Sequence, residues 1–217
     1  MTQLGKNKKA LILSHMKVKT YYGLLQLLLM LSITSSGWAQ VPSGYFCSVR
    51  NDSLLTPSIY EFDIYLQNTD LVNVFELGYF QAGIIVNPSI INEGTITPSI
   101  ISGSSELVSV QRPTSIQFAS NCIKLSPKVA GFGAGTIIPT NSPGIRIARI
   151  RLTNSNNFGQ YQPNFIFNYS ATPYNTVVSA YNQSTGINTN ITNAANHTVL
   201  TMINPILNGV LNLYNVT

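Results

Sequence analysis

The chain has 217 residues, of which 44% are hydrophobic and only 9% are charged, and its formal net charge is +5. This length suits a single domain with a sizeable core, and the hydrophobic fraction is too high for a disordered chain. Five of the twelve lysine and arginine residues precede residue 20, so the remaining seven equal the seven acidic residues in number. A nucleic-acid-binding domain would need a basic surface. The charge balance after residue 20 therefore argues against nucleic acid as a partner.

The first 39 residues have the three parts of a secretory signal peptide. Lysines precede an apolar run at residues 21–33, and the small residues Gly37 and Ala39 follow it. A membrane-spanning helix would need about 20 apolar residues, so we predict cleavage after Ala39 and not a membrane anchor. Translation from Met16 would preserve this organisation. The sequence thus predicts a secreted or cell-surface protein with no transmembrane span after processing.

Two cysteines, Cys47 and Cys122, follow the predicted leader. In an oxidising compartment two cysteines are commonly paired, and we expect a disulfide between them. The alternative is a pair of buried thiols that act as small apolar side chains.

The pattern of apolar residues predicts strands throughout the exported part. Residues 60–66 alternate apolar and polar, which indicates a half-buried strand. Residues 74–86 are apolar at both parities, which indicates a strand covered on both faces or two strands that meet at a bend. The sequence predicts an all-β fold: an antiparallel β-sandwich of about nine to ten strands with jelly-roll or Greek-key wiring. We place this domain at residues 42–195 and expect residues 196–217 to form a last strand or a linker tail.

Two further segments, at residues 144–153 and 164–170, are rich in β-branched and aromatic residues and are separated by polar turn residues. This arrangement predicts two neighbouring strands of one antiparallel sheet.

The aliphatic residues of the first of these segments are out of phase. Its first two isoleucines have one parity, whereas Ile150 and Leu152 have the other. A regular strand cannot bury both pairs on one side, so we predict a β-bulge near residues 148–149. With that bulge, Arg146, Arg149 and Arg151 lie mostly on the outer face.

These arginines have two interpretations. They can protect an exposed strand edge from pairing with another chain, or they can contact an anion or an acidic glycan. Three tyrosines near predicted turns, Tyr161, Tyr174 and Tyr181, are candidates for stacking on a sugar ring. The alternative for each tyrosine is packing at the end of a strand.

No catalytic residues can be assigned. His197 is the only histidine after the leader and lies in a polar segment, which indicates a surface histidine. Glu61 and Asp63 share one face of a strand, where they could bind a cation, but a solvated face is the simpler interpretation. No carboxylate follows Glu106, so a two-carboxylate glycosidase site would have to come from the first half of the chain. We expect no metal and no cofactor.

Three segments in order carry a resemblance to a known family: Tyr60-Glu-Phe-Asp-Ile-Tyr-Leu66, Asn87-Pro-Ser-Ile-Ile91 and the Gly-led strand at 144–153. The sequence resembles the cohesin-like modules, and most of all the amino-terminal modules of large proteins that Gram-negative bacteria export by the type IX route. The resemblance covers roughly residues 43–192. It implies a jelly-roll sandwich of nine strands, related to carbohydrate-binding modules, with a role in protein–protein or surface attachment and no catalysis.

The sequence therefore predicts a secreted, non-catalytic binding or structural module with an extracellular protein or glycan as its partner. The main alternative is a carbohydrate-binding module of an extracellular protein. A small secreted hydrolase is the second alternative.

Overall fold

The computed structural model describes residues 40–200, so the predicted leader and the last seventeen residues lie outside the described part. Within this part the chain forms twelve strands: β1 (Tyr45–Thr56), β2 (Ile59–Asn68), β3 (Phe75–Ile85), β4 (Ile96–Ile100), β5 (Ile116–Ala119), β6 (Cys122–Leu125), β7 (Ile137–Ile138), β8 (Ile145–Asn154), β9 (Ile166–Phe167), β10 (Val177–Tyr181), β11 (Asn188–Asn190) and β12 (His197–Val199). One α-helical turn, α1 (Pro88–Ile91), follows β3. Two 3-10 turns lie at Ser109–Gln111 and Ala194–Asn196. No helix among the described residues is long and apolar enough to cross a membrane.

The strands form two sheets. The five-stranded sheet has the order β12-β1-β2-β8-β4, and the seven-stranded sheet has the order β11-β10-β3-β6-β5, with β7 and β9 also paired to β3. Among the described ladders, only that between β1 and β12 is parallel. The predicted all-β sandwich is confirmed. It has twelve strands instead of nine or ten because several strands are only two or three residues long, too short to leave a pattern in the sequence.

The hydrophobic core lies between the two sheets. The alternating face of β2 contributes Tyr60, Phe62, Ile64 and Leu66, each at most 2% exposed. Strand β3 is buried along nearly its whole length, as expected for a central strand covered on both faces. Burial of apolar area at about 25 cal/mol per Å² is the main stabilising contribution to such a fold.

The predicted β-bulge in β8 is present, one residue earlier than expected. Ile64 pairs with Ala148, whereas its neighbour Tyr65 pairs with Arg146, so Ile147 is the extra residue. Ile147 and Ala148 are consecutive and both fully buried. The bulge thus brings the aliphatic residues on both sides of it onto the core face.

Two expectations about β8 are wrong. It does not pair with the 164–170 segment, because β9 pairs with β3 in the other sheet. Nor is β8 an edge strand, since β2 and β4 pair with it on its two sides. The arginines of β8 therefore do not protect an open edge. Parity and composition show that a segment is a strand, but they do not show which sheet it joins.

The expected disulfide is absent, and both cysteines are free and buried. Cys47 lies on β1 of the five-stranded sheet, whereas Cys122 lies on β6 of the other sheet. The Cys122 thiol contacts the carbonyl oxygen of Tyr174 at 3.8 Å. Burial raises the pKa of both thiols. The two cysteines act as small core residues on opposite sides of the sandwich.

Candidate functional site

The three arginines of β8 are engaged by carboxylates of β2. Because β2 and β8 are antiparallel neighbours, Glu61 lies opposite Arg151 and Asp63 lies opposite Arg149. The Arg149 Nε atom is 2.6 Å from Glu61 Oε2, and its Nη1 atom is 3.2 Å from Asp63 Oδ2. Arg151 Nη2 is 2.6 Å from Glu61 Oε1. Arg146 Nη1 is 3.9 Å from Asp63.

The two carboxylates of this cluster are buried. Glu61 and Asp63 are only 5% and 1% exposed, so the prediction of a solvated acidic face is wrong. Burial by itself would raise the pKa of Glu61, but the hydrogen bonds from Arg149 and Arg151 outweigh it and lower that pKa. The arginines cover the carboxylates, and a ligand anion would have to compete with them. The cluster is a set of ion pairs between β2 and β8, in which carboxylates already lie against the positive charges.

The three candidate tyrosines differ in exposure. Tyr161 is 59% exposed. Tyr174 is half-buried, and the Lys124 ammonium lies 5.4 Å from the centre of its ring. Tyr181 is buried, and its hydroxyl donates a 2.6 Å hydrogen bond to the carbonyl oxygen of Ala130. Tyr181 therefore cannot stack on a sugar, and its role is packing at the end of β10. The tyrosines do not form a common exposed platform.

His197 is not the surface histidine that its polar neighbours suggested. It is half-buried on β12, and its ring contacts the rings of Tyr45, Phe167 and Tyr169 at centroid distances of 5.5, 4.9 and 5.5 Å. Burial lowers its pKa to about 4, although a hydrogen bond with the carbonyl oxygen of Asn193 acts in the opposite direction. Within residues 40–200 no group of three or more His, Cys, Asp or Glu side chains is placed to hold a metal ion.

The sequence did not reveal an exposed apolar surface at the end of the sandwich where β2 crosses to β3. It consists of Leu71, Val72, Val74 and Ile137, and we call it the Leu71 surface. Leu71 and Val72 are 87% and 88% exposed. These residues line an open cavity of about 280 Å³, together with Pro139 and Thr140. Single exposed apolar residues are ordinary, whereas a contiguous group of them is a candidate interaction site.

The loop that carries Leu71 is held by one carboxylate. Asp70 Oδ1 accepts hydrogen bonds from the backbone N–H groups of Val72 and Asn73 at 2.8 and 3.1 Å. Asp70 Oδ2 accepts from the Ser43 backbone N–H and hydroxyl, at 2.8 and 2.9 Å, and from the Asn73 amide at 2.8 Å. These hydrogen bonds, led by that of the Ser43 N–H, lower the pKa of Asp70. The sequence signal for this turn is the Asn-Thr-Asp run that ends at Asp70.

Comparison with known proteins gives matches only among solved structures, since neither a protein-family model nor a curated protein matches the chain. The second type II cohesin module of the ScaA scaffoldin of Acetivibrio cellulolyticus is similar with a TM-score of 0.46 and 12% identity, over 75% of this chain and 97% of that one. A type II cohesin–X-dockerin complex from the same organism gives a TM-score of 0.41 and 10% identity, over 72% and 95% of the two chains. Endoglucanase CelQ of Clostridium thermocellum gives 0.32 and 9%, over 59% and 24%. Cohesin modules, the family that the sequence resembles, are therefore among the solved structures similar to this chain.

Proposed function

We propose that this chain is a secreted, non-catalytic, cohesin-like module that binds an extracellular protein partner through the Leu71 surface. The observation that carries the proposal is the almost complete exposure of Leu71 and Val72 on a loop fixed by Asp70. A flexible apolar loop would lose conformational entropy on binding. A loop that is already ordered avoids most of that loss.

The character of the Leu71 surface favours a protein over a sugar. Its side chains are aliphatic, and the only ionisable side chain that lines its cavity, Asp70, is already saturated with hydrogen bonds. Sugar sites need polar groups that are free to bind hydroxyls, together with an exposed aromatic ring. Protein interfaces have an apolar centre surrounded by polar, solvent-accessible groups, and Asn73 and Thr140 provide such groups here.

The positions of the carboxylates support a non-catalytic role. Hydrolysis of a glycosidic bond needs two carboxyl groups that face the substrate. Glu61 and Asp63 are covered by arginines, and the Glu76 carboxylate accepts hydrogen bonds from the backbone of Gly133 and Gly135 at 2.7 and 3.0 Å. These carboxylates stabilise the fold and do not face solvent. This argues against the alternative of a secreted hydrolase.

Export is proposed from the sequence of the first 39 residues, which lie outside the described part. We expect the exported protein to begin at Gln40. Determination of the amino-terminal sequence of the protein recovered outside the cytoplasm checks this. A protein that retains its first 39 residues there would contradict cleavage and favour a membrane anchor.

A pull-down experiment tests the binding role. The wild-type protein, immobilised and incubated with the secreted and surface proteins of its source, should retain a partner that the double variant Leu71→Ser/Val72→Ser does not. Ile166→Ser is the matched control, because Ile166 is 58% exposed and pairs with Ile85 at the opposite end of β3. Circular dichroism should show that all three proteins are folded.

The same proteins applied to a glycan array distinguish the main alternative. A sugar retained equally by the wild type and the double variant, with no protein partner recovered, would contradict the proposal and favour a carbohydrate-binding module. In that case Tyr161, the most exposed candidate tyrosine, would be the first position to change.

A further inference from the structure

The imidazole of His197 joins the last described strand to both sheets. His197 lies opposite Cys47 in the parallel ladder between β12 and β1. Its ring also contacts Phe167 of β9, which belongs to the other sheet. The β12 ladder has only three residue pairs, followed by one bond from the Leu200 N–H to the Val49 carbonyl oxygen at 2.8 Å. Because this backbone ladder is short, the side-chain contacts of β12 also hold it against β1.

The hydrogen bonding of His197 defines its neutral form. The Nδ1 atom is 2.9 Å from the carbonyl oxygen of Asn193, which can only accept, so Nδ1 carries the proton. The Nε2 atom is therefore the acceptor, and it is buried without a hydrogen-bond partner. Protonation would place a charged N–H group at a position where nothing accepts its hydrogen bond. A buried charge without a partner is strongly unfavourable.

The side chains around His197 provide no compensating negative charge. The titratable groups that face it are Tyr45 and Cys47 from β1 and Tyr169 from the segment after β9. Burial raises the pKa of Tyr169 to about 12 and also raises those of Tyr45 and Cys47. All three are neutral in acid. Among the described residues, each ion pair joins an arginine to a carboxylate, and none includes His197.

Three aromatic rings surround the imidazole. Tyr45, Phe167 and Tyr169 meet its plane at 74°, 47° and 58°. Two of them also bind the turn that precedes β12: Tyr45 Oη accepts from the Asn193 N–H at 2.9 Å, and the Tyr169 hydroxyl donates to the Ala194 carbonyl oxygen at 3.4 Å. The turn, β12 and these aromatic rings are thus held together.

We propose that His197 is an acid-sensitive latch: its neutral ring holds β12 against β1 and β9, and its protonation releases β12 while the rest of the sandwich stays folded. Release exposes Tyr45, Phe167 and the edge of β1. This inference is independent of the Leu71 surface and of the proposed function.

The direction of the pH effect follows from linkage. The closed state binds the proton with a pKa of about 4, whereas a solvated histidine has a pKa near 6.5. The open state therefore takes up a proton first, and the latch weakens as pH falls from about 6.5 to about 4. Because His197 is only partly buried, we expect the opening equilibrium to rise on the order of tenfold between pH 7 and pH 5.

Hydrogen exchange measured on the full chain tests the latch. After correction for the intrinsic pH dependence of exchange, the protection of the Leu200 amide should fall on the order of tenfold between pH 7 and pH 5. The Ile64 amide of β2 serves as the internal control and should stay protected. In His197→Phe, which keeps an aromatic ring but cannot titrate, the protection of Leu200 should not change with pH.

Two results would overturn the proposal. One is a protection of Leu200 in the wild type that is the same at both pH values, and the other is an equal pH-dependent loss in His197→Phe. If that variant does not fold, His15→Gln leaves His197 as the only histidine, and its imidazole signal can be titrated by NMR. The proposal then requires that the loss of Leu200 protection follow this titration, and independent curves contradict it.

Discussion

At the scale of single residues, the ionised carboxylates of Glu61 and Asp63 depend on their contacts with Arg149 and Arg151. Two carboxylates are almost completely buried, which would destabilise the sheet if the arginines of β8 did not lie over them. One oxygen of this cluster, Asp63 Oδ1, is buried without a hydrogen-bond partner. Removal of one arginine would therefore leave a second carboxylate oxygen buried without a partner.

Arg149→Ala should destabilise the protein by about 2–4 kcal/mol, because it leaves two buried carboxylates with fewer partners. Urea unfolding at pH 7 measures this change. Lys128→Ala, which removes an exposed positive charge, is the control and should change the free energy of unfolding by less than about 0.5 kcal/mol. Equal effects of the two substitutions would show that the buried cluster contributes little.

The same cluster predicts a dependence of stability on pH. The pKa of Glu61 is lowered in the folded protein, so Glu61 contributes stability above its unfolded pKa of about 4.3, and this contribution is lost as pH falls. In Glu61→Gln the free energy of unfolding should change less between pH 6 and pH 3 than in the wild type. Urea titrations at these two pH values check it, and an unchanged slope in the variant would contradict it.

Asp70 has a comparable role in the loop of the Leu71 surface. In Asp70→Asn the side chain keeps one acceptor oxygen but loses the second, which binds Ser43 and Asn73. We expect the domain to stay folded and the Leu71–Val72 bond to become sensitive to a protease that cleaves after leucine. Limited proteolysis of the wild type and the variant measures this, and equal cleavage rates would show that Asp70 does not order the loop.

At the scale of elements, the bulge in β8 could be predicted from the sequence, but the contacts that stabilise it could not. Opposite parity of its aliphatic residues was enough to predict a bulge, because only an extra residue can bring both groups to one face. The sequence could not show what stabilises the bulge. There the backbone N–H of Arg149 donates to Ser104 Oγ at 2.9 Å, and that of Arg146 donates to Glu106 Oε2 at 2.7 Å. These contacts come from a loop some forty residues away in sequence.

Deletion of Ile147 tests the bulge. The shortened strand would alternate regularly, with its arginines still on the outer face, but it would lose a fully buried side chain and its bonds to Ser104 and Glu106. We expect a loss of about 3 kcal/mol in the free energy of unfolding, measured with urea. Ile145→Ala, at a half-buried position of the same strand, should cost about 1 kcal/mol. A deletion variant as stable as the wild type would show that the bulge is dispensable.

At the scale of the whole molecule, the sequence predicted the sandwich but not the burial of its acidic side chains. Five of the seven acidic residues are buried: Asp52, Glu61, Asp63, Asp70 and Glu76. Each accepts hydrogen bonds from other parts of the protein; the Tyr60 hydroxyl, for example, donates to Asp52. Alternation identifies faces of strands, but it cannot show that a polar face is covered by a neighbouring strand or loop. The Leu71 surface was missed for the same reason, because exposure is decided by the packing of distant segments.

The two free cysteines carry the last prediction. Cys47 and Cys122 lie in different sheets with separate neighbours, so oxidation to a disulfide would require the core to rearrange. The protein should therefore show the same thermal unfolding midpoint with and without a reductant. When it is unfolded without reductant, both thiols should be alkylated, as shown by an intact mass with two added groups. A mass without added groups would reveal a disulfide, and strands β1 and β6 would then have to lie closer than they do here.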